Sequence, residues 1–111
     1  MIGVSRAKEF IFTGRRISAA EALEIGLINY VKADHAAAFE KAVELATIIG
    51  SEKGPVAIRA AKQSISHGIN MDLTSALQFE EACYAKTLHT EDRLEGLRAF
   101  AEKRKPVYTG K

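Results

Sequence analysis

Carboxylates at short spacing are the first place to look for proton chemistry in this chain. Glu21 and Glu24 stand three apart, as do Asp92 and Glu95, and Glu80 and Glu81 are adjacent between Phe79 and Tyr84. A carboxyl pair can do acid/base work when one group is held beside a water and the other can deliver a proton. Backbone amides must also face the oxygen on which negative charge builds. None of these pairs follows a glycine-rich loop able to present such amides. Acids gather in first helical turns for electrostatic reasons alone, so the 21/24 and 92/95 pairs read first as caps or solvated faces. Glu80 and Glu81 are less routine and read first as ion-pair partners of an arginine or lysine.

A second constellation joins Phe100 to Lys103 at the start of a basic run, Lys103-Arg104-Lys105. Residues three apart on a helix are neighbours, so an aromatic plane and an ammonium could meet one ligand. That combination suits an adenine ring and a phosphate. The competing reading is that the run complements the negative end of a helix dipole. His35, His67 and His89 have no Cys or second His at ligand spacing and read as surface or helix-end residues, so no metal site is expected. Cys83 lies on an apolar helical face, without a neighbouring cation or helix N-terminus to lower its pKa. It reads as a small buried hydrophobe rather than a nucleophile. No phosphate loop, His-Glu-x-x-His or Gly-x-Ser-x-Gly occurs, and no catalytic residue is assigned.

The elements that must position these residues are helices. A short helix is predicted over residues 5–12, with Gly14 as a left-handed stop. Ser18 and Glu21 form a capping box: the Ser18 hydroxyl can accept from the Glu21 amide while the Glu21 carboxylate reaches back to the Ser18 amide. Gly26 ends that helix, and residues 27–31 read as an extended connector too isolated to imply a sheet. Between 34 and 49, Phe39, Ala42, Val43, Ala46 and Ile49 recur at helical steps, and the stretch 50–54 breaks the pattern. Pro55 suits a first helical position; that helix carries Ile58, Ala61 and Ile65 on one face and ends at Gly68. Asp72 caps the next helix, in which Leu73, Leu77, Glu81, Tyr84 and Leu88 share a row beside Ala76, Phe79, Glu80 and Cys83. Thr90 caps the last, with Glu91 and Asp92 in its first turn, the basic run at its end and Pro106 as the stop. The expected architecture is all-α: one domain of about six short helices with a single extended connector.

Composition agrees with one small domain. The chain has 111 residues, 47% apolar and 27% charged, with a net charge of +2. Its charges are interspersed, which argues against dedicated nucleic-acid binding. A folded chain of this size hides roughly 60 to 70% of its unfolded surface, so stability is marginal unless a partner adds burial. A single cysteine cannot form an intramolecular disulfide and fits a reducing compartment. No apolar run approaches the roughly 20 residues of a membrane span, and the first residues lack a signal-peptide pattern. A soluble, intracellular chain with no membrane partner is expected.

The closing stretch, Thr90 through Gly110 with its Ala-Phe-x-x-Lys pattern and Lys-Pro-Val-Tyr tail, resembles the end of the enoyl-CoA hydratase (crotonase) superfamily. The stretch 9–29, with Thr-Gly at 13–14, Ser-Ala-x-Glu-Ala at 18–22 and Gly-Leu-Ile-Asn at 26–29, is similar to an earlier part of that family. Gly54-Pro-Val-Ala-Ile-Arg-Ala-Ala-Lys62 resembles the next helix start. The stretches 81–84 and 92–96 look closest to the methylglutaconyl-CoA hydratase branch.

The resemblance implies the carboxyl-terminal helical trimerisation domain of such enzymes, commonly stacked into hexamers. The acyl-CoA thioester would be substrate, with no separate cofactor. It implies that the aromatic and the lysine of the closing pattern, here Phe100 and Lys103, reach the CoA moiety, with Phe12 and Ile17 as weaker candidates for an acyl pocket. It further implies that the oxyanion amides and both acid/base glutamates belong to a β/α spiral core ahead of these residues. The chain is then expected to assemble and contact CoA without performing the addition of water itself. Its compartment would be the mitochondrial matrix in a eukaryote and the cytoplasm in a bacterium. The alternative is a non-enzymatic helical interaction module, or a modulator of a full-length hydratase.

Overall fold

The structure, a computed structural model, describes residues 2–111. Among them are six helices and no strand: α1 (Val4–Thr13), α2 (Ala19–Glu24), α3 (His35–Ser51), α4 (Pro55–Gly68), α5 (Leu73–Ala85) and α6 (Glu91–Ala101). The all-helical expectation holds. The helices group into two compact units whose boundary, between Ala42 and Val43, falls inside α3. None of the helices is long and apolar enough to cross a membrane.

In the first unit, α1 ends at Gly14, whose φ of 62° lets its amide turn back to the Phe10 carbonyl at 3.0 Å. The Ser18 hydroxyl accepts from the Glu21 amide at 3.1 Å and opens α2. The return half of the expected capping box is replaced. Both Glu21 carboxylate oxygens take the Arg15 guanidinium instead, at 2.6 and 3.1 Å, because a bidentate charged fork outcompetes one neutral amide. This pairing raises the Arg15 pKa and lowers that of Glu21. Arg15 also stacks on the Phe10 ring, 4.5 Å from its centroid. At the far end of α2 the Gly26 amide reaches Leu23 O at 3.0 Å and the Leu27 amide reaches Ala22 O at 2.9 Å, the paired closure of a Schellman motif around a left-handed glycine. The segment after it is bent and irregular.

In the second unit, α4 and α5 form the principal helix pair. Lys86 Nζ donates to Gln63 Oε1 at 3.1 Å, and the His67 and Phe79 rings meet edge to face at 5.7 Å. Pro55 opens α4, and the Asp72 carboxylate accepts the Ser75 amide to open α5; the Ser75 hydroxyl and then this amide hold the Asp72 pKa below the ordinary carboxylate value. Gly50 departs from expectation: it lies within α3, which continues to Ser51. One glycine costs only about 1 kcal/mol in a helix, too little to stop a helix of this length.

Packing is inverted relative to a self-sufficient domain. The buried apolar residues are Ala22, Ala60, Cys83 and Ala99, all small. Large apolar side chains lie outside: Ile65 is 72% exposed, Leu73 76% and Phe39 64%. Of the expected α4 face, Ile58 is half-buried while Ala61 and Ile65 are exposed; the buried position of α4 is Ala60. Likewise Cys83, not the Leu73/Leu77/Tyr84 row, is the buried position of α5. Small residues let α4 and α5 approach closely, while Ile65 and Leu73 on the same two helices stay exposed.

Candidate functional site

The expected ligand pair lies at the end of α6. Thr90 opens this helix by accepting the Arg93 amide at 3.2 Å. The helix stops at Ala101, earlier than its basic run suggests, because Lys103 adopts φ 54°. Lys103 is the one non-glycine residue with positive φ among those described. Its amide reaches Phe100 O at 3.2 Å, and the Arg104 amide reaches Ala99 O at 3.0 Å. This is the same paired closure that Gly26 makes after α2, here built on a lysine. Phe100 is 87% exposed and Lys103 is exposed. The two are joined through this backbone turn and not, as expected, by sharing one face of a continuous helix.

The Arg104 side chain binds carboxylates. Its Nη1 and Nη2 donate to Glu95 Oε1 and Oε2 at 2.5 and 3.0 Å, and its Nε donates to Glu102 Oε2 at 2.6 Å. The Val107 amide adds a bond to Glu95 Oε1 at 2.9 Å. The Arg104 fork and then this amide hold the Glu95 carboxyl far below its ordinary range, at about 2; the same fork raises the Arg104 pKa. Of the basic run, Lys103 and Lys105 make no ion pair among the described residues.

Asp92 makes a second clamp one turn earlier. It is buried, with Oδ1 accepting the Thr109 amide at 2.7 Å and Oδ2 the Gly110 amide at 2.9 Å. Its own amide, one of the orphan donors of the first turn of α6, donates to Lys111 O at 3.1 Å. Tyr108 lies against Gly96, where an added Cβ would stand 3.3 Å from the hydroxyl. The solvated-face reading of Asp92 and Glu95 is thus corrected: both bind the chain's own tail. Their helical spacing of three puts both carboxylates along one edge of α6, where the returning tail meets them.

Other candidates do not converge. Glu80 and Glu81 are exposed and, among the described residues, have neither the expected ion pair nor a second acid partner. His67 packs on Phe79, Cys83 is buried and unpaired, and no three His, Cys, Asp or Glu side chains among the described residues gather as a metal cluster. Phe12 is exposed on α1 and Ile17 half-buried before α2. Open clefts among the described residues of the second unit include the following two. One of about 270 Å³ is bordered by Gly54, Asp92, Gly96 and Tyr108. One of about 320 Å³ is bordered by Ala60, Ile65, Cys83 and Tyr84.

The family model for enoyl-CoA hydratase/isomerase matches residues 1–111. The chain belongs to the enoyl-CoA hydratase/isomerase family. The matching fold is seen in a crystal structure of enoyl-CoA hydratase from Bacillus anthracis, 55% identical with a TM-score of 0.93, over 99% of this chain and 42% of that one. Relatives include "Probable enoyl-CoA hydratase 2, mitochondrial" of Arabidopsis thaliana, 54% identical over 99% of this chain and 36% of its own length. Human mitochondrial methylglutaconyl-CoA hydratase is 49% identical over 98% of this chain and 33% of its own. This family chain therefore spans about a third to two fifths of the relatives it matches, and several branches match it to a similar degree. The six helices coincide with a helical part of the family fold.

The tail clamp escaped sequence reading because its partners are far apart along the chain. One signal was available. Gly96 stands inside an otherwise good helix, and a helix glycine marks a close approach by something else, here Tyr108.

Proposed function

We propose that this chain is the carboxyl-terminal helical part of an enoyl-CoA hydratase. In this reading it covers the rest of the subunit, joins subunits into a trimer or stacked hexamer, and contacts coenzyme A through Phe100 and Lys103. The inverted packing carries the reading: alanines and a cysteine are inside while Ile65, Leu73 and Phe39 are outside. Exposed apolar faces of this kind mark interaction surfaces.

Hydration of a 2-enoyl-CoA places the hydroxyl of water on C3 and its proton on C2, while charge passes through the thioester oxygen. The groups that move those protons belong, in this proposal, to the part of the relatives outside the matched stretch, and this chain alone is inactive. Its own task is positional. Lys103 offers an ammonium to a CoA phosphate and Phe100 a plane to the adenine, and anchoring this remote end holds the thioester in place for attack. Because branches match alike, the shared reaction, in fatty-acid or branched-chain amino-acid breakdown, supports the reading better than a methylglutaconyl substrate does. The working compartment would be the mitochondrial matrix in a eukaryote, or the cytoplasm in a bacterium.

Light scattering on the purified chain, paired with a short enoyl-CoA hydration assay, tests this. A discrete trimer or hexamer with no turnover above a protein-free blank is expected. A monomer would favour an independent interaction module. Turnover abolished by Glu80→Gln or Glu81→Gln would overturn the proposal by locating the chemistry in these helices.

A further inference from the structure

We infer that Glu95 is a positioning residue for the coenzyme A contact: by gripping Arg104 and the Val107 amide it fixes the left-handed turn that holds Lys103. The inference rests on the proposed contact of Lys103 with CoA and adds to it the device that sets that lysine's backbone.

The turn needs such a device. Left-handed backbone is unfavourable for a residue with a Cβ, which is why glycine dominates this position at helix ends. The chain contains both versions of one motif. After α2, Gly26 sits at φ 74° between amide bonds of 3.0 and 2.9 Å. After α6, Lys103 sits at φ 54° between amide bonds of 3.2 and 3.0 Å. The two differ in what surrounds them. The residue following Gly26 is Leu27, which carries no charge to anchor. The residue following Lys103 is Arg104, whose guanidinium makes two bonds to Glu95, one to Glu102 and one to the Lys105 carbonyl at 3.2 Å. Glu95 also takes the Val107 amide. The middle of the basic run and the chain just after it are therefore tied to one carboxylate on the helix wall, and that carboxylate is only 15% exposed. Loss of the anchor frees the turn to relax towards right-handed backbone. Lys103 then extends the last turn of α6 or frays, and its ammonium leaves the place set for the phosphate.

The experiment is a double-mutant cycle on coenzyme A affinity by titration calorimetry, using the unchanged chain, Glu95→Gln, Lys103→Ala and the double variant. Hydrogen exchange of the Arg104 amide is followed in parallel. Glu95→Gln is expected to weaken coenzyme A on the order of tenfold, the ratio that matches the left-handed disfavour of an L-residue, and Lys103→Ala at least as much, because it removes the ammonium itself. Glu95→Gln should add nothing once Lys103 is gone, because its effect passes through that lysine. It should also speed exchange of the Arg104 amide with no ligand present. Unchanged affinity and unchanged exchange in Glu95→Gln would overturn the inference, as would an equal loss in both backgrounds, which marks a merely structural role. If Lys103→Ala binds like the unchanged chain, or the unchanged chain does not bind, the proposed contact fails. Faster Arg104 exchange in Glu95→Gln would then still establish Glu95 as the anchor of the turn. Should Glu95→Gln unfold, Arg104→Lys keeps the charge but loses the two-bond fork, and the same pattern is expected of it.

Discussion

Replacing Asp92 by asparagine removes one charge and leaves the shape of the side chain intact, so it isolates the tail clamp. Asp92 offers one oxygen to the Thr109 amide at 2.7 Å and the other to the Gly110 amide at 2.9 Å. Asparagine can present only one oxygen, and its amino group must face the second donor. The lost bond is charge-assisted and lies in a buried position, a type worth about 1.5–3 kcal/mol. Opposing it is the entropy of ordering the tail, about 1–2 kcal/mol for each fixed residue. The docked tail is thus held by a small difference, and losing one such bond should raise its open fraction roughly 10- to 100-fold. Native-state hydrogen exchange measured by NMR reads this directly. The Thr109 and Gly110 amides should exchange faster by that factor in Asp92→Asn, while amides of α5 around Cys83 keep their wild-type rates. Thr109 and Gly110 amides as slow as in the parent would refute the clamp and leave the packing of Tyr108 against Gly96 as what holds the tail.

The Glu95 anchor should titrate. Its folded pKa of about 2 lies below the ordinary 4.5, so its stabilisation is complete above pH about 4.5 and is lost as pH falls from there through about 2. An acid titration should show the protection factors of the Arg104 and Val107 amides, referred to the intrinsic exchange rate at each pH, falling across that window in the parent, with no such step in Glu95→Gln. Lys103→Gly should raise stability by roughly 0.5–1 kcal/mol, since glycine accepts the left-handed turn. A urea midpoint that stays put or falls would show that the turn is unstrained, while a rise accompanied by weaker coenzyme A binding would show stability exchanged for contact.

Helix starts were legible because capping is local. Ser18, Asp72 and Thr90 each accept an amide three residues on, and Pro55 opens α4 with a fixed φ and no donor to lose. Gly14 and Gly26 were legible as stops for a similar reason. The end of α6 was not, because a lysine took the position that glycine usually fills, held by an arginine bound to a carboxylate nine residues back. Glu21 was misread on the same grounds: its box partner was visible, but the competing Arg15 fork depended on how the chain turned after Gly14. Phe100 and Lys103 stood out by residue type. That the Lys103 amide turns back to the Phe100 carbonyl, and does not continue the helix, was decided by the tertiary structure.

Local chemistry along the chain was enough to make it helical and to punctuate it into six pieces, because caps, stops and a 3.6-residue period act over four residues or fewer. Which faces close against each other was decided only in three dimensions. Periodicity marks an apolar stripe but not what covers it, and here Ala60 and Cys83 take the contact while Ile65 and Leu73 stay outside. The same holds for the acids of α6. Their spacing suggested a charged edge, and only the return of the tail across that edge turned Asp92 and Glu95 into the anchors of residues 107–111.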